Sequence, residues 1–161
     1  MKLLKKSVFR IISALLTLLW LCFIWYNSAE TGNLSADSSK GITAKIVNVI
    51  IKDFNSMTEI QKTQIIEKVN PIIRELAHAF EFFILAVFVG FFAMTYKIRR
   101  FYIYMTIVFG FCLFSACVDE FHQYFVDGRT ADILDVLVDS TGALVATAII
   151  TVTVYLCKRR T

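Results

Sequence analysis

The chain has 161 residues, of which 57% are hydrophobic and 19% are charged, with a formal net charge of +4. An ordinary soluble domain has about 45–50% apolar and about 25% charged residues, so this composition departs toward that of a membrane protein. A disordered chain is excluded because 14% of the residues are aromatic and the net charge is low, and the length fits a single domain over residues 1–161.

Four apolar runs follow one another along the chain, and each approaches or exceeds the ~20 residues that cross a bilayer as a helix. The first run, at about 19 residues, is longer than the ~7–15 apolar residues of a signal peptide, so we expect a retained membrane helix. Phe82–Met94 and Thr106–Cys117 carry no charge, whereas a soluble helical bundle needs polar stripes. The sequence therefore predicts an all-α, polytopic membrane protein with four transmembrane helices, over residues 8–26, 74–96, 101–125 and 133–157.

A long polar segment, residues 27–70, connects the first two spans. Residues 27–41 are rich in Ser, Asn, Asp and Gly, which predicts a loop. Residues 42–69 alternate apolar and charged positions at helical spacing, which predicts one or two extracytoplasmic amphipathic helices lying on the outer leaflet. Pro71 suits the first turn of the second span. An ordinary extracytoplasmic cap and a lipid-contacting role both remain open for this segment.

Small residues recur at helical spacing in two of the spans. Ala86 and Gly90 are four positions apart, as are Gly142 and Ala146. Such pairs allow two helix backbones to approach closely, so we expect helix contacts at these positions.

Basic and acidic residues divide between the two ends of the predicted spans. Cytoplasmic loops carry an excess of Lys and Arg, and three stretches at one set of helix ends hold basic residues and no acidic one. We therefore expect a multi-pass protein of the cell membrane with both termini in the cytoplasm, and with residues 27–70 and 126–131 facing outward. The basic residues are Lys2, Lys5, Lys6, Arg10, Lys97, Arg99, Arg100, Lys158, Arg159 and Arg160.

Charged side chains lie at the outward end of three spans, although charges inside a membrane are costly and rarely accidental. Arg74, His78 and Glu81 are spaced by four and three residues, so they share one helix face within about 60°. The polar residues of the third and fourth spans are also spaced so that, on each span, they share one side of the helix. His122 lies on another face of the third span. These further residues are Asp119, Glu120 and Gln123 on the third span, Asp132, Asp135 and Asp139 on the fourth, and Arg129 in the turn between them. We expect one polar site near the outer surface.

Acidic groups outnumber basic groups in this predicted site. Carboxylates removed from water in such an excess must gain protons or find a cation. A divalent metal, a cationic ligand or protonation would each satisfy them, and oxygen ligands favour magnesium, calcium or manganese. The candidate metal ligands are Asp119, Glu120 and Asp135. In the alternative, structural interpretation, ion pairs such as Arg74 with Glu81 and Arg129 with Asp135 hold the helices together.

Several stretches resemble the motifs of the VanZ-like family. Residues 74–82 resemble its R-x-x-x-H-x-x-E-[FY] signature, and residues 119–125 resemble D-E-x-x-Q-x-F. Residues 128–135, with Gly142 after them, resemble a G-R-x-x-x-x-x-D segment followed by a glycine, and residues 23–28 resemble a stretch with Phe and then Ser. The chain departs from the pattern at Glu75, where a basic residue is frequent, and at Asp132 and Asp139, which make this chain more acidic.

The resemblance implies a small bacterial inner-membrane protein, in a family named after a protein linked to teicoplanin resistance in Gram-positive bacteria. We expect the site to bind or act on a cell-envelope component, such as a lipid-linked precursor, and to contribute to glycopeptide resistance by hiding the drug's surface target. His78 with Glu81 fits a general base or acid, and Arg74 with Arg129 fits anionic groups. The candidate catalytic residues are His78, Glu81, Asp119, Glu120, Gln123 and Asp135, and the candidate substrate-binding residues are Arg74, Arg129, Ser28 and Asp139.

Two other classes of function remain open. A proton-coupled transporter would use Asp, Glu and His inside the membrane, but it needs ionisable groups through the inner half of the spans, where few occur. A structural or partner-binding membrane protein would need only the ion pairs. The lipid bilayer is the expected partner in each case, and no nucleic acid is expected because the basic residues sit at the membrane edges without a recognition fold.

Overall fold

The structure is a computed structural model that describes residues 2–98 and 100–160. Side chains are described for the same residues except 2–4, 33 and 157–160. Some basic side chains used to predict the orientation lie outside this description, namely those of Lys2, Arg99, Lys158, Arg159 and Arg160. Within the described residues the chain is all-helical and contains no strand, as the sequence predicts.

The helices are α1 (Lys2–Ser28), α2 (Gly32–Ile50), α3 (Glu59–Met94), α4 (Phe101–Gln123) and α5 (Ile133–Arg160), with a 3₁₀ turn at Phe54–Ser56 between α2 and α3. Four described helices are long and apolar enough to cross a membrane, which confirms the prediction of four spans. Their qualifying segments are Lys5–Ser28, Glu59–Met94, Phe101–Gln123 and Ile133–Leu156.

The segment between the first two spans is more helical than predicted. The loop expected over residues 27–41 is wrong from Gly32 onward, where α2 begins. The placement of Pro71 in a first helical turn is also wrong, because α3 starts at Glu59 and contains Pro71 in its interior. The cause is a capping box at Thr58 and Gln61, which supplies a strong helix start before the proline.

Helix α3 is longer than a membrane span requires. It has 36 residues, which at ~1.5 Å per residue exceeds the ~30 Å thickness of the hydrocarbon core. Its first part carries the charged residues Glu59, Lys62, Glu67 and Lys68 and extends beyond its apolar part, where α2 packs against it. Thr43 of α2 donates a hydrogen bond of 2.8 Å to Asn70 Oδ1 of α3, and both residues are buried.

Helix α3 is the centre of the bundle and makes its most extensive contacts with α5. A side chain at Gly142 of α5 would collide with the backbone carbonyl of Ala79 on α3. Ala86 and Ala146 are fully buried, and Tyr104 of α4 donates a hydrogen bond of 2.8 Å to the carbonyl of Gly90. The small residues singled out in the sequence therefore lie at close helix contacts, as expected.

The two ends of the bundle differ in charge. At one end, Arg10 Nε of α1 donates a hydrogen bond of 3.1 Å to Thr95 Oγ1, just after α3. We call this the basic end, and its described basic residues are Lys5, Lys6, Arg10, Lys97 and Arg100. At the other end, Ser28 of α1 contacts Asp119 of α4. We call this the acidic end, and α1 and α4 run toward it whereas α3 and α5 run away from it.

Candidate functional site

A buried hydrogen-bond network joins the end of α1 to the end of α4. Ser28 Oγ donates to Asp119 Oδ2 at 2.7 Å, and Gln123 Nε2 donates to the same oxygen at 2.9 Å. Ser28 and Asp119 are each 1% exposed, so this carboxylate has lost nearly all contact with solvent. A buried carboxylate is costly unless hydrogen bonds satisfy it, and Ser28 and Gln123 supply such bonds to one of its oxygens.

Arg129, in the turn between α4 and α5, extends this network. Its Nη1 donates to Gln123 Oε1 at 3.0 Å, its Nε to the carbonyl of Glu30 at 3.0 Å, and its Nη2 to the carbonyl of Asn27 at 3.1 Å. The turn brings Arg129 back toward α1 because Gly128 adopts a φ of 75°, a left-handed conformation that favours glycine. Arg129 therefore fixes the turn to the end of α1.

The electrostatic surroundings of Arg129 include a second cation. Burial is the largest cause that lowers the pKa of the Arg129 guanidinium, and the positive charge of Arg74 lowers it further, while Asp119 opposes this shift. An arginine side chain keeps its proton in proteins. Both guanidinium groups are therefore charged, and the positive charge of Arg74 acts unfavourably on Arg129, which a bound anion would relieve.

Both arginines line one cavity of about 250 Å³ at the acidic end. Its wall also includes Gln123 of the buried network, and the carboxylates Glu75 and Asp135. Within the described part of the chain Arg74 has no hydrogen-bond or ion-pair partner. The remaining lining residues are Gly32, Pro71, Gly128 and Thr130. We call this cavity the arginine cavity.

His78 and Glu81 lie next to the network on α3. His78 Nδ1 is 3.9 Å from Glu81 Oε2, which is longer than the ~2.6–3.2 Å of a hydrogen bond that transfers a proton. Asn27 Nδ2 donates to Glu81 Oε1 at 3.0 Å, and Trp20 Nε1 donates to the Glu81 carbonyl at 2.8 Å. The two side chains are neighbours on α3 without a hydrogen bond between them, and α1 holds Glu81 in place.

Three carboxylates from three helices each have a buried oxygen without a hydrogen-bond partner among the described residues. These atoms are Glu81 Oε2, Asp119 Oδ1 and Asp139 Oδ1. Asp139 is 4% exposed and interacts electrostatically with Asp119, Asp135, Glu81 and Glu120. Buried polar atoms are rarely left unsatisfied, so these oxygens are candidates for protonation or for a hydrogen bond from a bound water molecule.

Glu120 and Asp132 belong to a different part of the acidic end. Glu120 Oε1 accepts a hydrogen bond of 2.6 Å from the backbone N–H of Asp132, and both residues line a separate groove with Phe121 and Tyr124. Asp132 precedes α5, so its predicted place on a face of that helix is wrong. Its Oδ1 instead accepts a hydrogen bond of 2.9 Å from the N–H of Leu134, as a helix-capping residue does. His122 is exposed and lies away from the network.

The ion pairs of the structural interpretation are not formed. Among the described side chains, neither Arg74 with Glu81 nor Arg129 with Asp135 lies within ion-pair distance. The donors of Arg129 instead bind backbone carbonyls and Gln123.

A metal site is not assembled either. Among the side chains that the structure describes, no group of three or more His, Cys, Asp or Glu is arranged to hold a metal ion. In particular, Asp119 and Glu120 are occupied by different hydrogen-bond partners, Ser28 for the first and the Asp132 backbone for the second. A divalent metal at Asp119, Glu120 and Asp135 stays a prediction from the sequence.

Sequence reasoning missed two residues that shape the site. Asn27 binds Glu81 through its side chain and Arg129 through its carbonyl, and Trp20 fixes the α3 backbone at Glu81. Both lie in a part of α1 that contains no charged residue, so the charge pattern of the sequence does not indicate them. Their positions one and eight residues before Ser28, on the helix end that faces the site, are the signal that was available.

The comparison with protein families gives one match, which covers nearly the whole chain. The model of the VanZ/LLP1 family matches residues 13–155, which include every residue of the network and of the arginine cavity. The comparisons with curated proteins and with solved structures found no match.

Proposed function

The chain belongs to the VanZ/LLP1 family of proteins, and from this premise we propose that it binds an anionic, lipid-linked or phosphate-bearing component of the cell envelope in the arginine cavity. The observation that carries the proposal is the presence of Arg74 and Arg129 in one cavity, the first without a described partner and the second held by hydrogen bonds. Arginine is suited to this role because its planar guanidinium binds carboxylates and phosphates through paired hydrogen bonds.

The other polar groups of the cavity favour a ligand that also carries hydrogen-bond donors. Glu75 and Asp135 line the cavity beside the two arginines. Carboxylates repel a bare anion but accept hydrogen bonds from hydroxyl, amide or ammonium groups. The ligand that fits this wall therefore has a phosphate or carboxylate next to a sugar, peptide or amine, as the head group of a lipid-linked precursor has.

The buried network gives the cavity a fixed geometry. Ser28 and Asp119 hold Gln123, which in turn accepts a hydrogen bond from Arg129. Because Arg129 is held by Gln123 of α4 and by the carbonyls of Asn27 and Glu30 at the end of α1, it is positioned before the ligand arrives, and less conformational entropy is lost on binding. Asp139 of α5 supplies a further buried carboxylate oxygen that has no hydrogen-bond partner among the described residues.

We propose that the acidic end faces the outside of a bacterial inner membrane, with both termini in the cytoplasm. The basic residues at the opposite end of the bundle, such as Arg10 and Lys97, support this orientation because Lys and Arg are enriched on the cytoplasmic side. In this orientation a ligand enters from the outer leaflet. A bound or altered envelope component would hide the surface target of teicoplanin-type glycopeptides and thereby contribute to resistance.

The binding test uses the purified full chain, a polyprenyl phosphate and the corresponding polyprenol without phosphate. We expect Arg74→Gln to raise the Kd for the phosphate by ~10–100-fold, which corresponds to the loss of a charge-assisted hydrogen bond, and to leave the Kd for the alcohol unchanged. The melting temperature should not fall, because Arg74 has no described partner. Lys68→Gln is the matched control, since Lys68 is an exposed cation on the same helix.

Equal phosphate binding by Arg74→Gln and wild type would contradict the proposal. Arg129→Gln serves as a second variant, which should weaken both binding and stability because Arg129 also fixes α1. Loss of stability without loss of phosphate binding would assign Arg129 a structural role only.

The cellular test measures teicoplanin susceptibility of bacteria that express the variants at equal protein levels. Alanine replacements at His78, Glu120, Arg129 and Asp135 are compared with His122→Ala, in which the altered histidine is exposed and away from the network. We expect loss of protection at the cavity residue Asp135 and at Arg129, and no loss at His122. Full protection by all four variants would exclude a role of this site in resistance. A selective loss for His78→Ala would favour acid–base chemistry by His78 and Glu81 on the bound component.

A further inference from the structure

A second cavity lies in the opposite half of the bundle, between α1, α3 and α4. Its volume is about 570 Å³, which is within the ~300–1,000 Å³ of typical ligand pockets. The wall is apolar and includes Ala14 and Leu18 of α1, Val89 and Phe92 of α3, and Phe111 of α4. Thr17 also lines it, but its hydroxyl donates to the Ser13 carbonyl at 2.9 Å. We call this cavity the apolar groove.

The apolar groove is separate from the arginine cavity. Ala14 precedes Ser28 by 14 positions on α1, or roughly 21 Å along a helix. The groove thus occupies the half of the membrane-spanning region that is nearer the basic end, and the two cavities share no lining residue.

A fixed cation stands at the basic end of the groove. The guanidinium carbon of Arg10 is 4.4 Å from the ring centre of Tyr96, a residue of the groove wall. Arg10 Nε donates to Thr95 Oγ1 at 3.1 Å and Nη2 donates to the Thr95 carbonyl at 3.3 Å. Nη1 has no partner among the described residues and keeps its donors for a ligand. Arg10 is therefore held in place while part of its hydrogen-bonding capacity stays free.

We propose that the apolar groove binds one acyl chain of an anionic phospholipid and that Arg10 binds the phosphate of the same molecule. The site matches a phospholipid in polarity and in charge. The apolar groove lies within the membrane span, and the basic residues beside it lie at the level of the lipid head groups. Lys6 lies one helical turn before Arg10, and Lys97 follows Tyr96, and both are exposed cations. This lipid site does not depend on the function proposed for the acidic end.

The test is native mass spectrometry of the full chain in a mild detergent, titrated with phosphatidylglycerol or with phosphatidylcholine of the same acyl chains. We expect one phosphatidylglycerol per chain to bind with a Kd about tenfold below that of phosphatidylcholine, because the choline cation of the latter offsets the charge that its phosphate presents to Arg10. Arg10→Gln should remove this preference. Ala14→Trp should lower the affinity for both lipids, because the indole fills the groove.

Matched controls separate a specific site from general attraction. Lys5→Gln removes a cation from another face of α1, and Leu15→Trp adds an indole at a position that is 53% exposed; both should bind like wild type. Equal affinity for the two lipids, wild-type preference in Arg10→Gln, or an equal effect of Lys5→Gln would overturn the proposal. A lipid-free dimer would overturn it as well, since a second copy would then cover the groove. If Ala14→Trp does not fold, the Arg10 and Lys5 variants decide.

Discussion

Ser28 at the end of α1 donates a hydrogen bond of 2.7 Å to Asp119 near the end of α4, across 91 positions of sequence. Both side chains are buried, and Gln123 donates to the same carboxylate oxygen. The contact closes the acidic end of the bundle and places α1 where Asn27 and Glu30 reach Arg129. The Ser28 hydroxyl therefore links α1, which carries no charge at this end, to α4, which carries Asp119 and Gln123 of the site.

Ser28→Ala should destabilise the protein, because the buried Asp119 carboxylate loses a donor and keeps its desolvation cost. We expect a loss of ~1–3 kcal/mol in the free energy of unfolding, which is typical of a buried polar group that loses its partner. The measurement is thermal or denaturant unfolding in detergent. Ser56→Ala is the control, since Ser56 is exposed and bonds only within its own turn. A loss equal to that of the control would show that Asp119 does not depend on Ser28.

Gly142→Ala tests the contact between α3 and α5. An added methyl group would collide with the Ala79 backbone, which cannot rotate away as a side chain can, so the helices must separate. Overpacking of this kind costs ~1–3 kcal/mol or more. Gly110→Ala is the matched control, because no atom lies within 4 Å of the added carbon and alanine favours a helix by roughly 0.5–1 kcal/mol over glycine. The melting temperature should therefore fall for the first variant and not for the second, and an equal response would argue against close packing at Gly142.

The parts of the fold that depend on composition and local spacing could be predicted from the sequence. Uncharged runs such as Phe82–Met94 fix the number of spans, and the spacing of His78 and Glu81 places both at the site. The helical start at Thr58 was also readable as a capping signal, yet the composition of residues 27–41 and Pro71 led to wrong boundaries. A proline in a long helix is tolerated when neighbouring structure satisfies the backbone, which local rules do not reveal.

The partners of each polar group could not be predicted, because they depend on how helices are placed relative to one another. The sequence places Arg129 in the turn next to the predicted site, but it gives no reason for its binding the carbonyls of Asn27 and Glu30 instead of Asp135. In the same way Glu120 adjoins Asp119 in sequence, yet its carboxylate turns to the backbone of Asp132. Adjacent residues on a helix point about 100° apart, so only the packing of α5 decides which neighbour each one meets.

Thr43→Val should loosen α2 without unfolding the bundle. Valine has nearly the shape of threonine but no hydroxyl, so the buried Asn70 Oδ1 loses its donor from α2. Hydrogen exchange followed by mass spectrometry should show faster exchange in α2 and the first part of α3, and unchanged exchange in α4. Thr63→Val is the control, because the Thr63 hydroxyl bonds to the Glu59 carbonyl of its own helix. Uniformly faster exchange in all helices would instead assign Thr43 to the stability of the whole bundle.

The orientation of the bundle is tested by single cysteines in a variant whose native cysteines are replaced. Asp37 on α2 and Lys97 after α3 are both exposed and lie toward opposite ends of the bundle. If the basic end is cytoplasmic, as the distribution of Lys and Arg indicates, a membrane-impermeant maleimide added to intact cells should label Asp37→Cys and leave Lys97→Cys unlabelled. Permeabilised cells should show labelling of both variants, which confirms that each thiol is reactive. Labelling of Lys97→Cys alone in intact cells would reverse the topology and place the arginine cavity on the cytoplasmic side, where a surface target of glycopeptides does not occur.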